Sequence, residues 1–426
     1  MRGTMSARTQ RWRPSGRGPA WRSPLRGPWL TSVFGAVLLA TLPLVIITGL
    51  LDYLAYGPRF GQAIPGDVGW LHLPFFDWPT RPSWLFRLTQ GLHVVLGLIV
   101  IPVVLAKLWS VIPRLFHWPP ARSLVQVLER LTLLLLVGGI LFEIATGVLN
   151  IQYDYLFGFS FYTAHYYGAW VFIGGFLAHV ALKLPKMVRA LRSRSLRTEL
   201  RTSRANTEPE PRDPDGLVAR GPRRPTMSRR GALGLVFGGS ALLGVLSAGQ
   251  TLGGASRSAA ILLPRGRSYG DGPNDFQVNR TASAAAITPA ATGSAWRLTL
   301  SGGGAPLRFD RTVLQAMPQH TAELPIACVE GWSTTQTWSG VRLRDLAALA
   351  GIPEPASAVV SSLERSGFNR VTLQANQVLD PESLLALRVN GAVLSPDHGF
   401  PARIIVPALP GVHCTKWVRS IEFRKP

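Results

Sequence analysis

The sequence predicts a multi-domain protein: an all-α transmembrane four-helix bundle, a further transmembrane helix, and then a mostly β, α+β domain. Three observations predict it. Hydrophobic residues fill 47% of the 426 positions and charged residues only 16%, a low charge content for a chain of this size. Five apolar stretches each reach the ~20 residues that a hydrocarbon core requires. Beyond about residue 261 the pattern changes to short β-type runs separated by Gly and Pro.

Residues 1–28 form a basic tail with Arg2, Arg8, Arg11, Arg13, Arg17, Arg22 and Arg26 and no acid. The membrane domain, 29–190, holds the spans Trp29–Leu51, Trp84–Ile112, Ser123–Leu149 and His165–Met187. The turn Pro113–Arg122 is basic (Arg114, Arg122). The connection 52–83 is mixed, with Asp52, Arg59, Asp67, Asp77 and Arg81, and 150–164 carries only Asp154. Residues 191–230 are rich in Arg, Pro, Ser and Glu without an apolar period, which predicts a disordered or loosely held linker. A fifth span, Gly231–Leu252, lies within 231–253. Every basic connection falls on one side. The positive-inside rule therefore predicts a multi-pass cell-membrane protein with a cytoplasmic N-terminus and linker, and its C-terminal domain, 261–426, on the extracytoplasmic side. The net charge of +22 reads as a topology signal. No recognition module accompanies it, so nucleic acid is not an expected partner.

In the C-terminal domain, Trp296–Ser301, Ala358–Leu363, Arg370–Leu373, Ala402–Val406 and Trp417–Phe423 read as strands. Leu343–Ala350 and Pro381–Leu387 read as short helices. The two cysteines, Cys328 and Cys414, exclude a four-cysteine iron–sulfur cluster within this chain. They are too few for a disulfide framework, though one bridge is open to them.

Ionisable side chains within spans are expensive and mark function by default. His93 lies in the outer half of the second span. His165 and His179 lie on the fourth, close to four whole turns and roughly 21 Å apart along one face. Haem iron takes axial imidazoles, and helix bundles place such ligands on facing helices. The three histidines are therefore candidate iron ligands, against the plainer reading of interhelical hydrogen bonding. The depths of the three are too similar to decide the pair by themselves; His93 with His165 is the preferred reading, and His179 competes. A second haem would need a ligand near the depth of His179, where position 107 is a lysine, so one haem is expected. Glu129 and Glu143 read as interhelical hydrogen-bonding groups, with a quinone or proton path as the other reading.

The segment from His165-Tyr-Tyr-Gly-Ala-Trp to His179-Val-Ala-Leu-Lys-Leu-Pro resembles the last core helix of bacterial cytochrome b561-type membrane domains. The resemblance covers about 29–190 and implies haem b; Lys107 departs from the two-haem members. Ser228-Arg229-Arg230-Gly231-Ala232-Leu233-Gly234 resembles a twin-arginine export signal, here internal. An ordinary positively flanked helix is the alternative, and both anchoring and cleavage near Ser247–Gly249 stay open.

Ile326-Ala-Cys328-Val-Glu330-Gly-Trp332, continuing through Trp338-Ser-Gly340, is similar to the metal-binding segment of the sulfite oxidase and bacterial methionine sulfoxide reductase group of molybdenum enzymes. Val278-Asn279-Arg280-Thr281, Val389-Asn390-Gly391, His398 to Arg403 and Pro410-Gly411 to Lys416-Trp417-Val418 follow in family order, over roughly 270–426. The resemblance implies a domain of sulfite oxidase type that holds molybdenum–molybdopterin, with Cys328 as the thiolate ligand. It places Asn279, Arg280, His398, Arg403 and Lys416 around the pterin and its phosphate, and Glu330 close to the metal as a catalytic residue. A soft thiolate suits a metal already held by sulfur, and cations suit a phosphate. Cys414 matches no role in the family and reads as structural.

Together the two halves imply a membrane-bound molybdopterin-dependent oxidoreductase. It would move an oxygen atom to or from a small sulfur compound or S-oxide and exchange electrons through haem b with the quinone pool or another membrane carrier. The alternatives are a sulfite dehydrogenase feeding the quinone pool, for which Arg365 and Arg370 offer basic groups, and a non-enzymatic binding domain on a membrane anchor.

Overall fold

The computed structural model describes residues 21–57, 70–71, 76–115, 123–151, 158–214, 216–262, 269–365 and 369–426. Most of the basic tail, Arg59, Asp67, Arg122, Asp154 and the Ser366–Phe368 segment lie outside the described residues. The membrane half comprises α1 (Pro28–Ala55), α2 (Leu85–Leu115), α3 (Leu124–Asn150), α4 (Phe161–Arg192), the short α5 (Leu196–Arg201) and α6 (Arg229–Leu252). All of these but α5 are long and apolar enough to cross a membrane, which marks the chain as a multi-pass membrane protein. Serine side chains begin three of them: Ser123, Ser160 and Ser228 accept from the backbone N–H of Gln126, Thr163 and Gly231, each satisfying an otherwise orphaned donor. Pro43, Pro102 and Pro185 sit inside spans, where packed neighbours tolerate them. α1 packs against α2 and α4, α3 against α4, and α6 against α2.

The 191–230 segment is not loosely held, contrary to its composition. Glu199 bridges Arg194 Nη1 (2.6 Å) and Arg229 Nη1 (3.3 Å). Arg229, 1% exposed, also donates to the carbonyl of Glu208 at 2.8 Å. Glu210 accepts the backbone N–H groups of Trp29 (2.8 Å) and Leu30 (3.3 Å). Ion pairs and backbone hydrogen bonds, which apolar periodicity does not report, do the holding.

The C-terminal half contains two five-stranded sheets. The first runs β2 (Leu307–Phe309), β1 (Leu298–Ser301), β10 (Val418–Arg424), β5 (Ser357–Ser362), β6 (Arg370–Gln374), with β1 and β10 parallel. The second runs β3 (His320–Ala327), β4 (Ser333–Arg342), β7 (Leu384–Val389), β8 (Ala392–Val393), and β9 (Arg403–Ile405) also pairs with β7. Short helices α7 (Pro289–Thr292), α8 (Arg311–Ala316), α9 (Leu343–Leu349) and α10 (Ala375–Leu379) connect them. The stretch Pro381–Leu387, expected as a helix, contributes most of β7 instead. Its Leu-Leu-Ala-Leu run has high helix propensity, but β4 and β9 pair with it on both sides and it is buried. A central strand covered on both faces reads as a continuous apolar run, so periodicity cannot separate it from a helix.

One buried cluster fills the C-terminal domain, from Leu298 and Leu324 through Trp338 and Leu384 to Ile404 and Phe423. It also takes in Tyr56, Trp78 and Phe86 from the membrane half. The halves thus share a core. Trp78 Nε1 donates to the carbonyl of Ala408 (2.8 Å), Asn376 Nδ2 to that of Trp78 (2.9 Å), and Ala408 N to that of Ser83 (3.1 Å). The β domain seats on the helix ends near Tyr56, Leu85, Phe161 and Leu252, opposite the end that carries the linker.

Candidate active site

Strands β3 and β4 pair from His320↔Gly340 to Ala327↔Ser333, leaving Cys328–Trp332 as the loop that turns between them. The loop closes on itself: Cys328 N donates to the carbonyl of Trp332, and Gly331 N to that of Cys328, both at 2.9 Å. Gly331 has φ +89, a conformation that an L side chain strains to adopt. A Cβ there would also lie 2.9 Å from Val94 of α2. The loop is therefore pressed onto the membrane half. Gln90 Nε2 donates to the carbonyl of Val329 (3.0 Å) and Thr251 Oγ1 to that of Gly331 (2.7 Å). Ser333 Oγ reaches the carbonyl of Thr251 at 2.6 Å.

Cys328 is buried and in no disulfide. It lines a small cavity with Phe276, Gln277, Asn279, Trp332, Arg403 and Lys416. Lys416 Nζ donates to Asn279 Oδ1 (3.2 Å) and to the carbonyls of Arg280 (2.9 Å) and Asp397 (2.8 Å), so one ammonium ties three loops. Burial, with Arg403 nearby, holds its pKa well below the ordinary lysine value. Arg403 lies over the Trp338 ring, 5.4 Å from its centroid, and donates to the carbonyl of His398 at 3.3 Å. Burial lowers its pKa to about 10, which leaves it charged at neutral pH. Both amide atoms of Gln277, 3% exposed, and Nε of Arg403 are buried with no hydrogen-bond partner among the described residues. Such orphans carry a desolvation cost unless a ligand satisfies them.

The remaining expected site residues are placed differently. His398 stacks on Phe276 with centroids 3.6 Å apart, its Nε2 lies 2.8 Å from the carbonyl of Asn274, and burial lowers its pKa to about 3. It supports the cavity wall from behind Phe276. Arg280 pairs with Glu364 at 2.6 Å, one position past the cavity-lining Asn279. Glu330 accepts from Trp332 Nε1 at 2.8 Å, bracing its own loop. Cys414 is buried, with its thiol pKa pushed up by that burial.

In the membrane half, His93 and His165 face each other with ring centroids 6.2 Å apart and planes at 88°. His93 Nδ1 lies 3.0 Å from the carbonyl of Val45. His165 Nδ1 lies 2.9 Å from Thr146 Oγ1 and 3.1 Å from Glu143. His179 lies on the same helix as His165 but is not in this pair. Glu129 bridges Arg114 and Lys183, so both glutamates of α3 make interhelical bonds.

Sequence reasoning missed Gln277, Tyr56 and His413. Gln277 adjoins a quoted motif but has no distinguishing pattern. Tyr56, at the end of α1, contacts His413 (centroids 5.6 Å) and Tyr162 (5.9 Å). Burial pushes its phenol well above the ordinary range, and Tyr162, Cys328 and Asp52 add to that. His413 is buried, its pKa lowered by burial to about 4, and its Nε2 has no partner among the described residues.

Residues 285–426 match the family described as oxidoreductase molybdopterin binding domain. The chain is similar to the uncharacterized oxidoreductase YuiH of Bacillus subtilis (strain 168), 36% identical over 121 residues, which are 28% of this chain and 60% of that protein. It is also similar to the sulfite oxidase of Arabidopsis thaliana, 33% identical over 111 residues, 22% of this chain and 28% of that one. An NADH nitrate reductase of Volvox carteri is 37% identical over 101 residues, 21% and 12% of the two chains. The matched stretch thus spans 60% of the first of these relatives and under a third of the other two.

Proposed function

Starting from a C-terminal half that is a molybdopterin-binding oxidoreductase domain of sulfite oxidase type, we propose that the whole chain is a membrane-bound oxygen-atom-transfer enzyme. Its substrate is a small sulfur compound or S-oxide, and its electrons are exchanged with the quinone pool. The carrying observation is the cavity at Cys328, where a buried thiol shares its walls with the unsatisfied Gln277 amide and the unsatisfied Nε of Arg403. These residues fit the cofactor: Cys328 offers a soft ligand, Arg403 a charge for a phosphate, and Gln277 a donor and an acceptor for a polar heterocycle. Lys416 and Asn279 fix the loops that frame it. When bound, molybdenum–molybdopterin supplies two-electron oxygen-atom transfer. Glu330 and Trp332 hold the ligand loop rigid, and α2 and α6 press it from beneath.

His93 and His165 are the proposed haem b ligands. Each has its Nδ1 engaged by a carbonyl, hydroxyl or carboxylate, the arrangement that fixes tautomer and orientation and leaves Nε2 for iron. Gly49 makes room, since a Cβ there would lie 2.7 Å from His93 Cε1. His179 is left out of the pair. The basic tail and linker favour a cytoplasmic face at that end and an extracytoplasmic Cys328 domain. The twin-arginine resemblance fits export of this domain, with the motif engaged before Arg229 enters its ion pair. A quinone-linked sulfite dehydrogenase is the second reading, favoured by similarity to a plant sulfite oxidase.

Metal, pterin and haem analysis of the purified full chain, with turnover of sulfite, methionine sulfoxide and dimethyl sulfoxide in both directions, tests the proposal. Molybdenum and a b-type spectrum are expected, with molybdenum and turnover lost in Cys328→Ala. Full activity in that variant rejects the ligand assignment. Protein without molybdenum and pterin rejects the enzyme.

A further inference from the structure

Ring contacts line the seam between the two halves. Phe161 stacks on His165 with centroids 5.0 Å apart and planes at 28°. Phe161 meets Tyr162 at 5.3 Å, Tyr162 meets Tyr56 at 5.9 Å, and Tyr56 meets His413 at 5.6 Å. Tyr56 and Cys328 belong to one buried cluster. His413 lies two residues after Gly411, whose N–H donates to the carbonyl of Ala327, the neighbour of Cys328, at 2.8 Å. A file of ring contacts therefore runs from the histidine pair to His413, and the backbone hydrogen bond of Gly411 completes the path to the Cys328 loop. Phe161 and Tyr56 are each 6% exposed, so the file is largely screened from water.

We propose that Phe161, Tyr162 and Tyr56 form a built-in electron relay between the His93–His165 pair and the Cys328 site. This rests on the two-centre reading above. The relay step makes and breaks no bond. One electron leaves one terminus and arrives at the other, twice for each oxygen atom moved. In the reductive direction a quinol becomes a quinone, giving up two electrons and two protons, and an S-oxide becomes a sulfide while its oxygen leaves as water. In the other direction, water supplies the oxygen and a quinone takes the electrons and protons. The rings provide delocalised orbitals in van der Waals contact where saturated side chains would leave weaker coupling. Their docking through Gln90, Thr251 and Trp78 keeps the spacing constant from molecule to molecule. A second contact, Val94 against Gly331, joins the turn that carries His93 to the same loop, but through a saturated side chain.

The test is flash photoreduction of the detergent-solubilised full chain, following the haem absorbance as the electron moves on. Static spectrum, haem potential and molybdenum content are measured on the same samples. Tyr162→Leu and Tyr56→Leu should slow the inter-centre phase by roughly an order of magnitude, because the protein's part in cofactor chemistry is to position and connect the centres. Spectrum, potential and metal content should stay at wild-type values. Tyr162→Phe and Tyr56→Phe, which keep the rings, should retain the wild-type rate. If Tyr56→Leu does not fold, the half-buried Tyr162 decides. A wild-type rate in Tyr162→Leu, or slowing confined to Val94→Ala, overturns the relay and leaves the two-centre reading intact. Wild-type protein without a b-type spectrum or without molybdenum overturns that reading, and the relay with it.

Discussion

Acid should loosen the C-terminal domain through two buried histidines. His398 and His413 are 2% and 5% exposed, and burial lowers their pKa values from 6.5 to about 3 and about 4. Both folded values lie below the unfolded one. Between pH 6.5 and those values the unfolded chain therefore binds protons that the folded chain refuses, so stability falls as pH falls. It is fully present above pH 6.5 and flattens below about 3 to 4. At pH 5 the gap from the unfolded value is 1.5 units, which at 1.36 kcal/mol per unit makes about 2 kcal/mol for each histidine and about 4 kcal/mol for both. That is a large share of an ordinary domain's 5–15 kcal/mol. Amide hydrogen exchange in β7, corrected for intrinsic rates, reads this locally. Protection of Leu384–Val389 should fall by about the same 4 kcal/mol between pH 7 and 5. The double variant His398→Phe/His413→Leu should lose the part of this slope that the two histidines supply, whatever its level at pH 7. Unchanged β7 protection in the wild type across this interval would refute the reasoning.

Three further outcomes follow from particular contacts. Gly49→Ala places a methyl 2.7 Å from His93 Cε1 and 3.0 Å from its Nδ1; overpacking of about 1–3 kcal/mol should shift the b-type absorbance, and an unaltered spectrum counts against His93 as a ligand. Arg229→Met strips a buried partner from Glu199, a loss of about 3–5 kcal/mol for a broken buried pair; trypsin should then cut the 193–227 segment faster, and equal cutting refutes the clasp. Thr251→Val removes the hydroxyl bond to Gly331, worth about 1 kcal/mol; exchange at Gly331 and Trp332 should quicken while β7 is unaffected.

Much of the membrane half was legible in the sequence because a bilayer permits few solutions. Each expected span overlaps one long helix, since every buried backbone group must be satisfied within the segment. The second sheet was harder. β4 reads Ser-Thr-Thr-Gln-Thr-Trp-Ser-Gly, with no aliphatic alternation, yet it carries one arm of the Cys328 hairpin. β7 is apolar on both faces and lost its period for the opposite reason. The linker misled because its order is ionic: Glu199 and Glu210 find partners far along the chain, and no local window shows them. The segment around Cys328 stood out through its motif, but the seam did not. Tyr56 and His413 are 357 positions apart (413 minus 56), and only the docking of two separately patterned halves brings them together.

The Glu210 carboxylate has a meaning for assembly. Gly27 starts α1 without a side-chain cap, and the missing acceptor comes from Glu210, 181 positions after Trp29. The beginning of α1 is thus completed only after α2, α3 and α4 are in place. Trp29 and Glu210 meet only if α1 to α4 together have crossed an even number of times. A chain with one span skipped leaves them on opposite faces of the bilayer, with two bare amides at one and a stranded carboxylate at the other. The bond acts as a parity check on insertion, written into a segment that resembles mere spacer.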